Sequence, residues 1–89
     1  MDLFQVLLNI YDYQDDQTIY VIEPWLLEST AIVLKEPPEG LIQVKHNSSI
    51  FEYFLEVFVV KKILKNLEQQ NLCLRDQCLH IIEYAIYDA

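Results

Sequence analysis

Glycine is almost absent: Gly40 is the single one in 89 residues. A glycine-rich loop that cradles phosphate needs several, so nucleotide binding of that kind is excluded. Positive charge is scarce too. Fourteen Asp and Glu stand against six Lys and Arg, a formal net charge of −8. Nucleic-acid backbones are held by Lys and Arg neutralising phosphates, so direct nucleic-acid binding is not expected. Long apolar runs are missing. The stretch from Leu3 to Tyr11 lies between Asp2 and Asp12 and is interrupted by Gln5 and Asn9. Spanning a bilayer takes roughly 20 apolar residues, so no membrane association is expected. A secretory signal needs a basic leading region, and Asp2 sets the expectation of a cytoplasmic protein.

Groups for covalent or metal chemistry are few. Cys73 and Cys78 are five residues apart in a helical-looking segment. Five residues turn a helix by about 500°, leaving the thiols about 140° apart, a poor geometry for a disulfide. Both read as reduced thiols, the default of the cytosol. With His46 and His80 they are the only soft metal ligands, and their spacing is not that of a zinc site. Cys78 reads as a small core residue. His80 reads as a surface residue with Asp76 and Glu83 within one turn. Ser48 and Ser49 follow His46, but sequence neighbours rarely form a nucleophile and base, and no nucleophile elbow is present. No enzymatic activity and no cofactor are expected.

What the chain has in quantity is apolar residues, 53% of the total. That suits one domain over residues 1–89 and is too rich for a disordered tail. Asp2 can cap a first helix whose apolar stripe is Leu3, Phe4, Leu7, Leu8 and Tyr11. A polar loop follows over 11–17. The run from Thr18 to Ile22 is β-branched and aromatic, and Pro24 stops it. A second strand is predicted over Ser29 to Leu34, a turn over Glu36 to Gly40, and a third strand over Leu41 to Lys45. Residues 50–69 are ambiguous. Ser49 and Glu52 fit the capping box of one long helix. Yet Phe51, Tyr53, Leu55 and Val57 alternate with Glu52, Phe54 and Glu56, which favours a strand over 51–57 and a helix over 58–69. That helix turns Val60, Ile63, Leu64 and Leu67 inward and Lys61, Lys62 and Lys65 outward. Asn71 can cap a last helix with Leu74, Cys78, Ile81, Ile82, Ala85 and Ile86 as its apolar stripe. The predicted class is α+β, a small antiparallel sheet of three to four strands covered by three helices, in the order α-β-β-β-β-α-α.

The charge is uneven. Residues 1–40 hold eight acids and Lys35, a net of −7, residues 41–70 have a net of +1, and residues 71–89 a net of −2. Asp12, Asp15 and Asp16 lie in a polar loop where solvent keeps them ionised, unlike a catalytic acid–base pair. Six tyrosines and one tryptophan are many for this length; Trp25 and Tyr20 read first as completing a small core, while such side chains also give large contact area at small entropic cost. An acidic face with exposed aromatics suits a basic protein that normally holds nucleic acid. It attracts that protein by long-range steering and competes with phosphate for the same Lys and Arg. The candidate partner-binding residues are Asp12, Tyr13, Asp15, Asp16, Glu23, Trp25 and Glu28. A second patch is expected on the last helix at Asp76, Glu83, Tyr84, Tyr87 and Asp88.

The pattern resembles small acidic immunity proteins of bacterial toxin–immunity pairs, including those of contact-dependent growth inhibition. More narrowly, it resembles a family of short acidic bacterial domains. The parts that carry the likeness are the leucine-rich segment Leu3–Ile10, residues Ile19–Leu34 with Pro24 and Trp25, the Tyr53–Val57 strand, and the aromatic end from Tyr84 to Ala89. The family pattern has a longer acidic insertion where this chain has Glu36 to Gly40. The resemblance implies an inhibitor that occludes a cognate, basic, nuclease-type protein toxin. Two other readings share the composition. One is an acidic nucleic-acid mimic of the anti-restriction or anti-CRISPR type. The other is a structural or regulatory module that forms a homodimer through a strand edge or its tyrosines.

Overall fold

The computed structural model describes residues 1–35 and 43–87. The chain opens with helix α1, Leu3–Leu8. Asp2 caps it through a full capping box: its carboxylate accepts from the Gln5 N–H at 2.8 Å, and its own N–H donates to Gln5 Oε1 at 3.2 Å. A single 3₁₀ turn, Ile10–Asp12, begins the polar loop. Strands β1 (Gln17–Val21), β2 (Ala31–Lys35), β3 (Gln43–His46) and β4 (Ser49–Glu56) follow. Helix α2, Val57–Leu67, starts at the residue after β4, and helix α3, Leu74–Tyr87, closes the described chain. The fold is the α+β arrangement that the sequence predicts, in the predicted order. The strand-then-helix reading of 50–69 holds, with the boundary at Glu56/Val57. The Glu36–Gly40 turn, the start of the predicted third strand and Asp88 lie outside the described residues.

The sheet is antiparallel with strand order β2-β1-β4-β3. Its helix-facing side presents Ile19, Val21, Ala31, Val33 and Leu55 to α1, α2 and α3. The helices answer with Leu3, Val6 and Leu7 of α1, Val57 and Val60 of α2, and Cys78, Ile81, Ile82 and Ala85 of α3, all buried, joined by Ile10. Each large aliphatic group so buried contributes about 1.5–3 kcal/mol. Burial also pushes the Cys78 thiol up to about 11, so it stays protonated and unreactive. Two residues of the predicted α3 stripe, Leu74 and Ile86, are 61% and 50% exposed. They sit at the two ends of the helix, beyond the i, i+3, i+4, i+7 positions that reach the core.

Strict alternation in β4 breaks at Phe54. Ile19 pairs with Leu55 while Tyr20 pairs with Tyr53, so β4 holds one residue more than β1 across that step. The bulge lets Phe54 and Leu55, neighbours in sequence, both join the core. It also moves Glu52 opposite Val21, onto the side of the sheet that faces the helices. The other face has its own aromatic packing, with buried Tyr20 set edge-on to Tyr53 at 6.2 Å.

Asn71 does not cap α3. It is left-handed, with φ 54°, and ends the 3₁₀ turn Glu68–Gln70, so that α3 begins only at Leu74. Asparagine tolerates that conformation through local hydrogen bonding. In the hairpin between β3 and β4, His46 pairs with Ser49, and both loop residues are left-handed, with φ 50° at Asn47 and 65° at Ser48. This is the backbone of a two-residue hairpin turn, which favours Asn-Gly. Serine at the second position bears steric strain that glycine lacks. Ser48→Gly is expected to raise stability by about 0.5 kcal/mol net of the added unfolded-state freedom. Urea denaturation checks this, and a loss of stability would contradict the strain.

Candidate functional site

The connection between β1 and β2 is held from several sides. The first-turn N–H groups of a helix lack partners within it. Here Leu3 N–H donates to Ser29 C=O at 2.8 Å and Phe4 N–H to Leu27 C=O at 2.9 Å, both acceptors in this connection. Within the loop, Leu26 N–H donates to Pro24 C=O and to Ser29 Oγ, and the Ser29 hydroxyl donates to Pro24 C=O. Ile22 N–H donates to Thr30 C=O at 3.0 Å and closes the loop at its base. Trp25 is thereby pressed onto the core, its ring 5.3 Å from Phe54 in an edge contact. Trp25 Nε1 is buried and meets no acceptor among the described residues.

Beside Trp25 lies a groove of about 680 Å³, lined by Glu23, Pro24, Trp25, Glu52, Ala85 and Ile86. Three elements meet there: the β1–β2 loop, β4 and the last turn of α3. Hydrogen bonding to Glu23, with lesser help from desolvation and from the Glu23 charge, raises the Glu52 pKa above its ordinary 4.5. No Lys, Arg or His forms an ion pair with either carboxylate among the described residues.

The other predicted residues are placed differently. Asp16 precedes β1 and Glu23 follows it, so a five-residue strand of about 17 Å separates them. The first predicted patch is therefore two regions, with Asp12, Asp15 and Asp16 at one end and Glu23 and Trp25 at the other. The first region is largely compensated. Lys61 Nζ lies 2.6 Å from Asp15 Oδ1 and donates to Tyr13 C=O at 2.9 Å, and Lys35 lies 3.5 Å from Asp16. Lys61, read as an outward residue, has a side chain only 23% exposed and is 5.9 Å from the Tyr11 ring centroid. Tyr13 is half-buried against the core, with its hydroxyl 3.4 Å from Met1 Sδ. Glu28 is exposed over a separate shallow groove with Asp2, Phe4, Leu27 and Arg75.

On α3, Asp76, Glu83 and Tyr87 recur at spacings of seven and four and share one exposed face. Tyr84 is half-buried and packs on the core, next to Ile63, Leu67, His80 and Glu83. Neither cysteine is in a disulfide: Cys73 is exposed and Cys78 buried. Among the described residues no three His, Cys, Asp or Glu side chains are placed to hold a metal ion, and no helix is long and apolar enough to cross a membrane. Of the residues lining this groove, the sequence reading names Glu23 and Trp25 as partner-binding and not Pro24, Glu52, Ala85 or Ile86. A glutamate interrupting an apolar strand was the one available signal for Glu52.

No protein-family model matches the chain, and no curated protein or solved structure matches it.

Two outcomes are expected. Lys61→Ala removes the bond to Tyr13 C=O and the Asp15 pair, and should lower stability by about 1 kcal/mol, since Asp15 is largely solvated. Asp15→Asn should cost less, because the carbonyl bond remains, and an equal loss in the two variants would contradict this. For the carboxylate pair, a raised folded-state pKa means that the native state binds the proton more tightly than the unfolded chain. Stability from this group is greatest below pH 4.5 and falls as pH rises through the raised value. Glu52→Gln should flatten that part of the pH–melting curve and should not lower the melting temperature at pH 7. A parallel curve, shifted downward, would contradict the pairing.

Proposed function

We propose that this chain is an immunity-type inhibitor. It binds a basic, nuclease-type protein toxin in the cytoplasm, as in contact-dependent growth inhibition, and blocks it by covering its substrate-binding surface, without turnover. The supporting observation is the groove in which two carboxyl groups with no cationic partner among the described residues stand against each other beside Trp25. Like charges in contact raise the energy of the free protein, and a positive surface brought against them removes that repulsion. The chain's net charge of −8 steers such a surface inward from a distance. Trp25 and the half-exposed Ile86 give the groove apolar area of the kind that anchors interfaces.

The test is coexpression with the product of the adjacent open reading frame. A one-to-one complex that loses nuclease activity is expected. Its association rate should fall steeply with added salt, and the double variant E23Q/E52Q should associate about tenfold more slowly at low salt. Association that ignores both salt and the substitutions would defeat the reading.

The outer edge of β3 favours a second reading, self-association. No strand pairs with that edge among the described residues, and open edges recruit other chains. Light scattering on the isolated protein decides it, since a stable dimer that forms without a partner supports the homodimer.

A further inference from the structure

We propose that the groove beside Trp25 is a seat for one arginine side chain of the basic partner, its guanidinium bridging the Glu23 and Glu52 carboxylates; this rests on the inhibitor reading and specifies where and what it grips. The geometry is that of a two-pronged acceptor. Glu23 and Glu52 line the same groove, one on a loop and one on a strand that other bonds hold in place. A planar guanidinium with five donors can bond both at once and carries the charge that the pair lacks. The remaining walls are Pro24, Trp25, Ala85 and Ile86, which suit the flat cation and its aliphatic stem.

Two other cations fit less well. Calcium takes about six to eight oxygen ligands, and two carboxylates with no third Asp, Glu, His or Cys placed for a metal among the described residues fall short. A lysine ammonium is a compact, strongly hydrated point charge that leaves the flat walls unused. The proton is the natural competitor. Among the described residues, the charged groups at the groove are Glu23 on the loop and Glu52 on β4. The α3 residues lining it, Ala85 and Ile86, carry no charge, and neither do Val21 and Gln43, which flank Glu52 on β1 and β3. Binding of the cation therefore weakens as the pair takes up its proton.

The experiment is a titration of the full chain with N-acetylarginine amide, followed by two-dimensional NMR of the amides and the Trp25 indole N–H. Saturable shifts are expected at Trp25 and at residues 23, 52, 85 and 86. N-acetyllysine amide should bind several-fold more weakly, and binding should weaken toward pH 4. Glu23→Gln and Glu52→Gln should each reduce affinity about tenfold. The dispersion of each variant's spectrum reports its folding, and Glu23→Gln, on the loop, leaves β4 intact. Shifts that do not saturate, equal response to lysine amide, stronger response to calcium, or affinity unchanged in both variants would each overturn the seat. If free arginine fails to bind while the toxin complex keeps its salt-sensitive association, the seat falls and the inhibitor reading stands. If arginine binds as expected and no toxin complex forms, the seat stands and the inhibitor reading falls.

Discussion

Two glutamates, Glu23 and Glu52, are brought to one groove by backbone segments that other bonds hold in place. Glu52 lies in a strand bonded on both sides, to β1 and to β3. Glu23 lies in a loop whose carbonyls are taken by the first N–H groups of α1 and whose base is closed by Ile22 and Thr30. Hydrogen bonding to Glu23, then desolvation and the Glu23 charge, raise the Glu52 pKa. The capping of a short helix thus reaches the electrostatics of a groove, because its unsatisfied donors dock on the loop that carries Glu23 and Trp25.

The same reasoning separates acidity that is available from acidity already answered. By composition the polar loop after α1 is the most acidic segment, yet Lys61 and Lys35 cross to it and pair with Asp15 and Asp16. Those contacts mainly fasten the loop to α2 and β2. Glu23 and Glu52 have no such answer among the described residues, though they are fewer. A partner's positive charge gains more where no lysine already stands. Asp76, Glu83 and Tyr87 on α3 are exposed to solvent, and Glu83 borders a smaller groove with Ile63, Leu67, His80 and Tyr84.

Much of the fold was legible because local and tertiary preferences agree in it. Asp2 announces a capped helix, β-branched Thr18, Ile19 and Val21 announce a strand, and the spacing of Val60, Ile63, Leu64 and Leu67 announces a helix. The misses arise where tertiary pairing decides. The bulge at Phe54 depends on the partner strand, and it puts Glu52 on the helix side when simple alternation gave no reason to. Asn71 has the side chain of a helix cap, but its left-handed backbone ends the preceding turn instead. Trp25 and Glu23 were visible as a binding aromatic and a charge. Their meeting with Ala85 and Ile86 was not, since about sixty residues separate them in sequence and only the layer packing brings them together.

Placing the partner on the groove, and not on the acidic loop or on the exposed face of α3, is most directly tested by hydrogen exchange on the toxin complex against the free chain. Protection concentrated in residues 22–27, the first half of β4 and the last turn of α3 is the expected result. Protection centred on residues 11–17 or on the first turns of α3, with the groove unchanged, would contradict it.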